Sequence, residues 1–213
     1  MSKYKCVIFD CDGVLVDSEP IGNLVMVEMA NELGAKIDLD YAYQNFKGNS
    51  LKNCINHISD LLNKDVPTSF ETEYRTRSFE KFKNEIKPIE GIKEVLASME
   101  IPFCVASSGP ENKIKLNLEL TDLLPYFKDK IFSCYTVGKW KPDPSVFLWA
   151  CKTMGFQPEE CLVIEDSPIG VQAALSGGFD AFGFTAHDYK DELQKNATKT
   201  FNDMLLLPEL IKS

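Results

Sequence analysis

Five short runs of uninterrupted apolar residues recur along the 213-residue chain: Cys6–Phe9, Phe103–Ala106, around Ile131–Phe132, Cys161–Ile164 and Ala181–Phe184. Continuous rather than alternating apolarity marks strands buried on both faces, the situation of a parallel sheet covered by helices. Between the later runs, Glu111–Leu120, Pro144–Met154 and Ile169–Ser176 have helical spacing. Strand and helix in alternation predict a doubly wound, Rossmann-like α/β core.

The interval 16–84 breaks that rhythm. It contains no convincing strand and reads as helices over Pro20–Leu33, Leu39–Phe46, Leu51–Leu62 and Ser69–Phe82, punctuated by Gly34, Gly48-Asn49 and Asp65-Val66-Pro67. The expectation is a helical cap domain over 16–84, inserted into an α/β core built from 1–15 and 85–213.

Composition excludes some partners. With 23 Lys+Arg against 32 Asp+Glu the net charge is −9, which disfavours a nucleic-acid backbone or an anionic membrane, since both attract clustered positive charge. No stretch approaches the roughly 20 apolar residues that span a bilayer, and the N-terminal run is too short for a signal-peptide core. Seven cysteines without CxxC spacing, most of them inside apolar runs, read as buried thiols of a reducing compartment, so a cytoplasmic location is expected. With two histidines, neither near a cysteine pair, zinc is not expected. A monomer is the default expectation.

In an open parallel sheet, ligands bind beyond the carboxyl ends of the strands. Asp10-Cys11-Asp12-Gly13 follows the first run and Ser107-Ser108-Gly109 the second. Lys139-Trp140-Lys141-Pro142 comes shortly after the third, and Glu165-Asp166-Ser167 after the fourth. Carboxylates, hydroxyls and a cation would therefore converge on one rim, as phosphoryl transfer with a divalent ion requires. Mg²⁺ takes oxygen ligands, which Asp10 and Asp166 could supply as carboxylates and Asp12 as a backbone carbonyl. Asp12, two residues beyond Asp10, could protonate a leaving oxygen and then deprotonate water. Ser107 and Lys141 could hold phosphoryl oxygens, and Gly13 would let the chain turn beside them.

These stretches resemble the motifs of the haloacid dehalogenase-like (HAD) phosphohydrolase superfamily. Asp10 to Glu19 is similar to the first motif, Ser107 to the second, Lys141-Pro142-Asp143-Pro144 to the third and Glu165 to Gly170 to the fourth, in the family order. The helical insertion resembles the cap of the subgroup that holds phosphoglycolate phosphatases and β-phosphoglucomutases. The resemblance implies Asp10 as nucleophile and Asp12 as acid/base, with Ser107, Ser108 and Lys141 as phosphate binders. It implies a Mg²⁺ set of Asp10, Asp12 and Asp166, with Glu165 ligating directly or through water. Lys139 competes with Lys141, but Lys141 is the one that precedes proline as the family pattern demands. In the cap, Lys47 and Gly48 are candidate substrate contacts beside the reading of a plain helix-terminating turn.

The activity implied is hydrolysis of small phosphorylated metabolites, sugar phosphates or sugar-acid phosphates such as 6-phosphogluconate. Two further readings stand beside it. A phosphomutase of the same subgroup would carry a cap histidine and a substrate-loop arginine where this chain has Gly22 and Leu51. A catalytically silent binding protein would have lost the nucleophile, the lysine or the metal acids, and none is missing. Dehalogenation does not need the second aspartate, so the intact Asp10/Asp12 pair argues against it.

Overall fold

The first apolar run becomes the centre of a sheet. In the computed structural model, which describes residues 3–46, 49–186 and 191–212, Cys6–Phe9 forms β1 with all four residues buried. The other strands are β2 (Phe103–Ser107), β3 (Ile131–Ser133), β4 (Cys161–Glu165), β5 (Asp180–Phe184) and β6 (Lys199–Phe201). All pair in parallel in the order β3-β2-β1-β4-β5-β6. Ile8 lies opposite Cys104 on one side and Val163 on the other. Burying a large apolar side chain contributes about 1.5–3 kcal/mol. Val7, Ile8 and Phe9 are all fully buried, so the register that decides where Asp10 emerges is firmly held.

The five expected strands are present, the first with the expected ends and the others differing by a residue. The sixth, β6, has no counterpart among the apolar runs. Its Lys-Thr-Phe sequence is short and half polar, and it forms because β5 offers an edge: Phe182 lies opposite Lys199 and Phe184 opposite Phe201.

The chain divides into two compact units, Met1–Asp17 with Lys87–Ser213, and Ser18–Ile86. Where the first unit is interrupted, the Asp17 N–H donates to the Lys87 carbonyl at 2.9 Å and Val16 bridges Pro88. The second unit is helical: α1 (Glu19–Glu32), α2 (Leu39–Asn45), α3 (Leu51–Leu62) and α4 (Phe70–Glu85). Local chemistry sets several of its ends. Asp38 caps α2 by accepting from the Tyr41 N–H, Ser50 caps α3 by accepting from the Asn53 N–H, and Asn63 closes α3 in the left-handed conformation. Val25, Met29, Ala42, Ile58 and Phe70 share its core.

The sheet unit carries α5 (Ile92–Ser98), α6 (Glu111–Leu120), α7 (Leu124–Phe127), α8 (Cys134–Val137), α9 (Ser145–Met154), α10 (Pro168–Ser176) and α11 (Leu207–Lys212). Val146, Phe147 and Ala150 of α9, with Val171 and Ala174 of α10, pack with Ile8, Cys104, Val163 and Ala181 of the sheet. All seven cysteines are free and buried. Among the described residues, no helix is long and apolar enough to cross a membrane.

Candidate active site

The site forms where three adjacent strands end. The Asp10 N–H donates to the Ile164 carbonyl at 2.9 Å, carrying the β1–β4 ladder one residue past Phe9. Ser107 is the last residue of β2 and Glu165 the last of β4, with Asp166 directly after it. Four polar residues from three parts of the sequence thus share the carboxyl edge of the sheet.

Lys141 joins them. Its Nζ donates to Asp10 Oδ1 at 2.7 Å, to Glu165 Oε1 at 2.6 Å and to the Ala106 carbonyl at 3.2 Å, and it lies 4.7 Å from the centre of the Phe147 ring. Two residues away, Lys139 has a side chain 61% exposed and pairs with Asp143 at 3.5 Å, whereas the Lys141 side chain is 5% exposed. The buried position decides between the two candidate lysines.

Electrostatics at this point are unbalanced. Burial is the largest influence on Asp10 and pushes its acidity constant up. Lys141 opposes that rise, while the charges of Glu165 and Asp12 add to it, and the net shift is upward. Burial alone would favour a neutral Lys141, but Asp10 and Glu165 outweigh it and hold the ammonium firmly charged. An ion pair normally lowers its acid. Here the acid rises because burial, helped by the neighbouring carboxylates, outweighs the ammonium.

Glu165 is held on both sides. Its Oε1 takes Lys141, while Oε2 accepts from the Ser167 N–H at 3.0 Å and the Ser167 hydroxyl at 2.9 Å. Ser167 in turn caps α10 by accepting from the Gly170 N–H at 3.1 Å. A Cβ at Gly170 would fall on the Glu165 carboxylate, and one at Gly13 on the Asp166 carboxylate. Gly13 also has φ +77°, a conformation that side-chain-bearing residues rarely adopt. The two glycines leave room for the two acids.

The remaining candidates fall around this cluster. Ser107 is buried and its Oγ accepts from the Gly109 N–H at 3.0 Å. Ser108 lies beside it, its Oγ 4.0 Å from the Cys134 Sγ. The Asp12 carboxylate accepts from Lys113 Nζ through both oxygens, at 2.8 and 2.7 Å. Lys113, in the first turn of α6, is absent from the candidates the sequence offers. Its pairing with Asp12 does not show in the sequence, because the partner is 101 positions away. Ser133, whose hydroxyl donates to the Gly109 carbonyl at 2.7 Å, is likewise visible only in three dimensions. Lys47 and Gly48 lie outside the described residues.

A divalent cation fits this donor set. Asp10, Glu165 and Asp166 each offer a carboxylate oxygen, these oxygens lie within 4.8 Å of one another, and all three residues are buried. Asp12 adds a fourth acid, and Lys141 and Lys113 pair with members of the set. Acids outnumber these lysines, in an all-oxygen environment of the kind hard cations such as Mg²⁺ take.

Comparison with known proteins agrees with this geometry. The family model for haloacid dehalogenase-like hydrolases matches residues 4–178, and the chain belongs to that family. It is an enzyme, and its motifs are those of the subgroup that holds phosphoglycolate phosphatases and β-phosphoglucomutases. It is 36% identical to the 6-phosphogluconate phosphatase of Escherichia coli (strain K12), over 100% of this chain and 97% of the relative. It is 29% identical to a phosphorylated carbohydrates phosphatase of Thermotoga maritima, over 88% of each. Among solved structures, a haloacid dehalogenase-like protein of unknown function from Agrobacterium tumefaciens superposes with a TM-score of 0.88 at 29% identity, over 98% of this chain and 97% of that one.

Proposed function

We propose that this enzyme is a Mg²⁺-dependent phosphatase of small phosphorylated metabolites, with sugar phosphates or sugar-acid phosphates such as 6-phosphogluconate as substrates. The observation that carries the reading is the buried cluster at the strand ends, in which Lys141 Nζ bridges Asp10 and Glu165 beside Asp166. The substrate class is supported by the 36% identity to a 6-phosphogluconate phosphatase along essentially the whole of both chains.

In the first step an Asp10 carboxylate oxygen attacks phosphorus, the bond to the leaving oxygen breaks, and Asp12 gives that oxygen a proton. In the second, Asp12 takes a proton from water, the hydroxide attacks the aspartyl-phosphate, and Asp10 and inorganic phosphate are released. Lys141 stabilises charge gathering on the phosphoryl oxygens, and Ser107 with Ser108 orients them. A divalent cation held by Asp10, Asp166 and the Asp12 backbone carbonyl would offset repulsion between the anionic nucleophile and the anionic phosphate. Glu165 completes this acidic set and anchors Lys141. The inserted helical unit is the cap that selects the metabolite, with Lys47 and Gly48 among its contacts.

Water rather than a second sugar is the acceptor in this reading. The subgroup's mutases place a histidine at the position of Gly22, and here the Tyr74 hydroxyl lies 3.0 Å from where a Cβ on Gly22 would begin. The test is phosphate release from a panel of phosphorylated sugars and sugar acids, with Mg²⁺ and with EDTA, by wild type and Asp10→Asn. Release is expected to require both the metal and Asp10. Release that survives chelation and the substitution would refute the mechanism, and conversion of β-glucose 1-phosphate to glucose 6-phosphate without free phosphate would establish a mutase.

A further inference from the structure

We propose that Lys113 is a positioning residue for Asp12, fixing its carboxylate where a leaving oxygen can collect a proton; the inference rests on the phosphatase reading above. Asp12 stands on the loop after β1. Lys113 supplies a constraint on its carboxylate from another part of the fold. It stands three residues after Pro110, in the first turn of α6, where helical side chains lean back toward the helix N-terminus. That lean carries the lysine stem past Gly109. A Cβ there would sit 3.5 Å from Lys113 Cδ, 3.4 Å from Ser107 Oγ and 3.9 Å from Asp12 Oδ2. Gly109 is thus the point where the phosphate-binding loop, the lysine stem and the acid meet.

The contact at the far end is two-pronged. Nζ lies 2.8 Å from one Asp12 oxygen and 2.7 Å from the other. Charge-assisted bonds of this kind are among the stronger ones available to a side chain. A bond to both oxygens opposes rotation of the carboxylate about its own axis, which a bond to one would allow. The pair is neither sealed nor fully solvated, with side chains 20% and 25% exposed, so it keeps its geometry while leaving the acid open to a substrate. Lys113 touches no phosphorus and transfers no proton. In the acid form one Asp12 oxygen carries the proton and Nζ keeps the other, so Asp12 stays aimed while the P–O bond breaks and the departing alkoxide takes that proton; the carboxylate left behind regains both contacts to Nζ.

The separating experiment varies the leaving group. A sugar alkoxide needs a proton as it departs, whereas p-nitrophenolate does not, and kcat/KM reports the enzyme only as far as the first departure. In the full-length protein, Lys113→Met should lower kcat/KM for glucose 6-phosphate by about tenfold to a hundredfold, a fraction of what a positioned general acid supplies. For p-nitrophenyl phosphate the loss should stay within about threefold, because that leaving group departs without help from the acid. Lys113→Arg keeps a cation able to span both oxygens and should recover most of the sugar-ester loss. Lys115→Met, which removes an exposed charge on the same helix paired with Glu111, should leave both esters unchanged. Equal losses on the two esters would overturn the proposal, because they would make Lys113 a phosphate binder or a structural prop. An arginine variant as slow as the methionine one would overturn it as well. A wild type that releases phosphate from neither ester would instead sink the phosphatase reading itself, and this inference with it.

Discussion

Lys141→Met is the sharpest probe of the charge balance at the strand ends. Wild type has one buried ammonium that touches Asp10 at 2.7 Å and Glu165 at 2.6 Å, with Asp166 alongside. The substitution keeps much of the stem that lies against Phe147 but leaves its acids without their cation. Removing one partner of a buried pair costs about 3–5 kcal/mol, which for a chain of this length is roughly 6–20 °C in Tm. The metal-free protein should therefore melt lower by that amount. Saturating Mg²⁺ should restore more stability to the variant than it adds to wild type, because the variant's carboxylates carry one more uncompensated charge. A ligand at a hundred times its Kd contributes about 2.7 kcal/mol, so the recovery is readable. The assay is thermal denaturation in EDTA and in excess Mg²⁺, with Lys139→Met as control. That exposed lysine should matter by less than about 1 kcal/mol. A Lys141→Met protein that melts within a degree or two of wild type in EDTA would refute the picture of a buried, overcharged cluster, and so would a control that falls as far.

Asp10 adds a pH dependence of definite sign. Its acidity constant is raised in the folded protein from 3.8 to about 7, so between those values the folded state binds more protons than the unfolded one. The contribution is full at low pH and is lost as pH rises through the folded value. In EDTA, the stability of wild type minus that of Asp10→Asn should fall from pH 5 to pH 8, and a rise in that quantity would contradict the shift. Gly13→Ala should lower stability by about 1–3 kcal/mol through the positive φ and should also weaken Mg²⁺ binding, because its methyl falls on Asp166. Titration calorimetry would test this, and an unchanged Mg²⁺ affinity would show that Asp166 does not face the ion.

Much of this protein can be read along the chain. The central strands announce themselves because burial on both faces demands unbroken apolar runs, and Cys6–Phe9 and Cys161–Glu165 are wholly buried for that reason. The helices of the inserted unit are marked by the turn residues between them, and α3 spans Leu51–Leu62 as expected. Asp10, Asp12, Ser107, Lys141 and Asp166 are legible because a parallel sheet gathers the residues beyond its strands' carboxyl ends at a single edge. Tertiary structure decided the rest. An edge strand such as β6 has a partner on one side and needs no apolar run, so Lys199–Phe201 becomes a strand through β5 alone. Lys141 stands apart from Lys139 in the sequence by the proline after it, but that one is buried and the other exposed is decided by packing. The pairing of Lys113 with Asp12 spans 101 positions and depends on where a helix turn carries one stem across one glycine. Short-range patterns record which residues must be buried or capped. Which charges meet is settled by packing, because ion pairs are specified by distance in space and leave no period in the sequence.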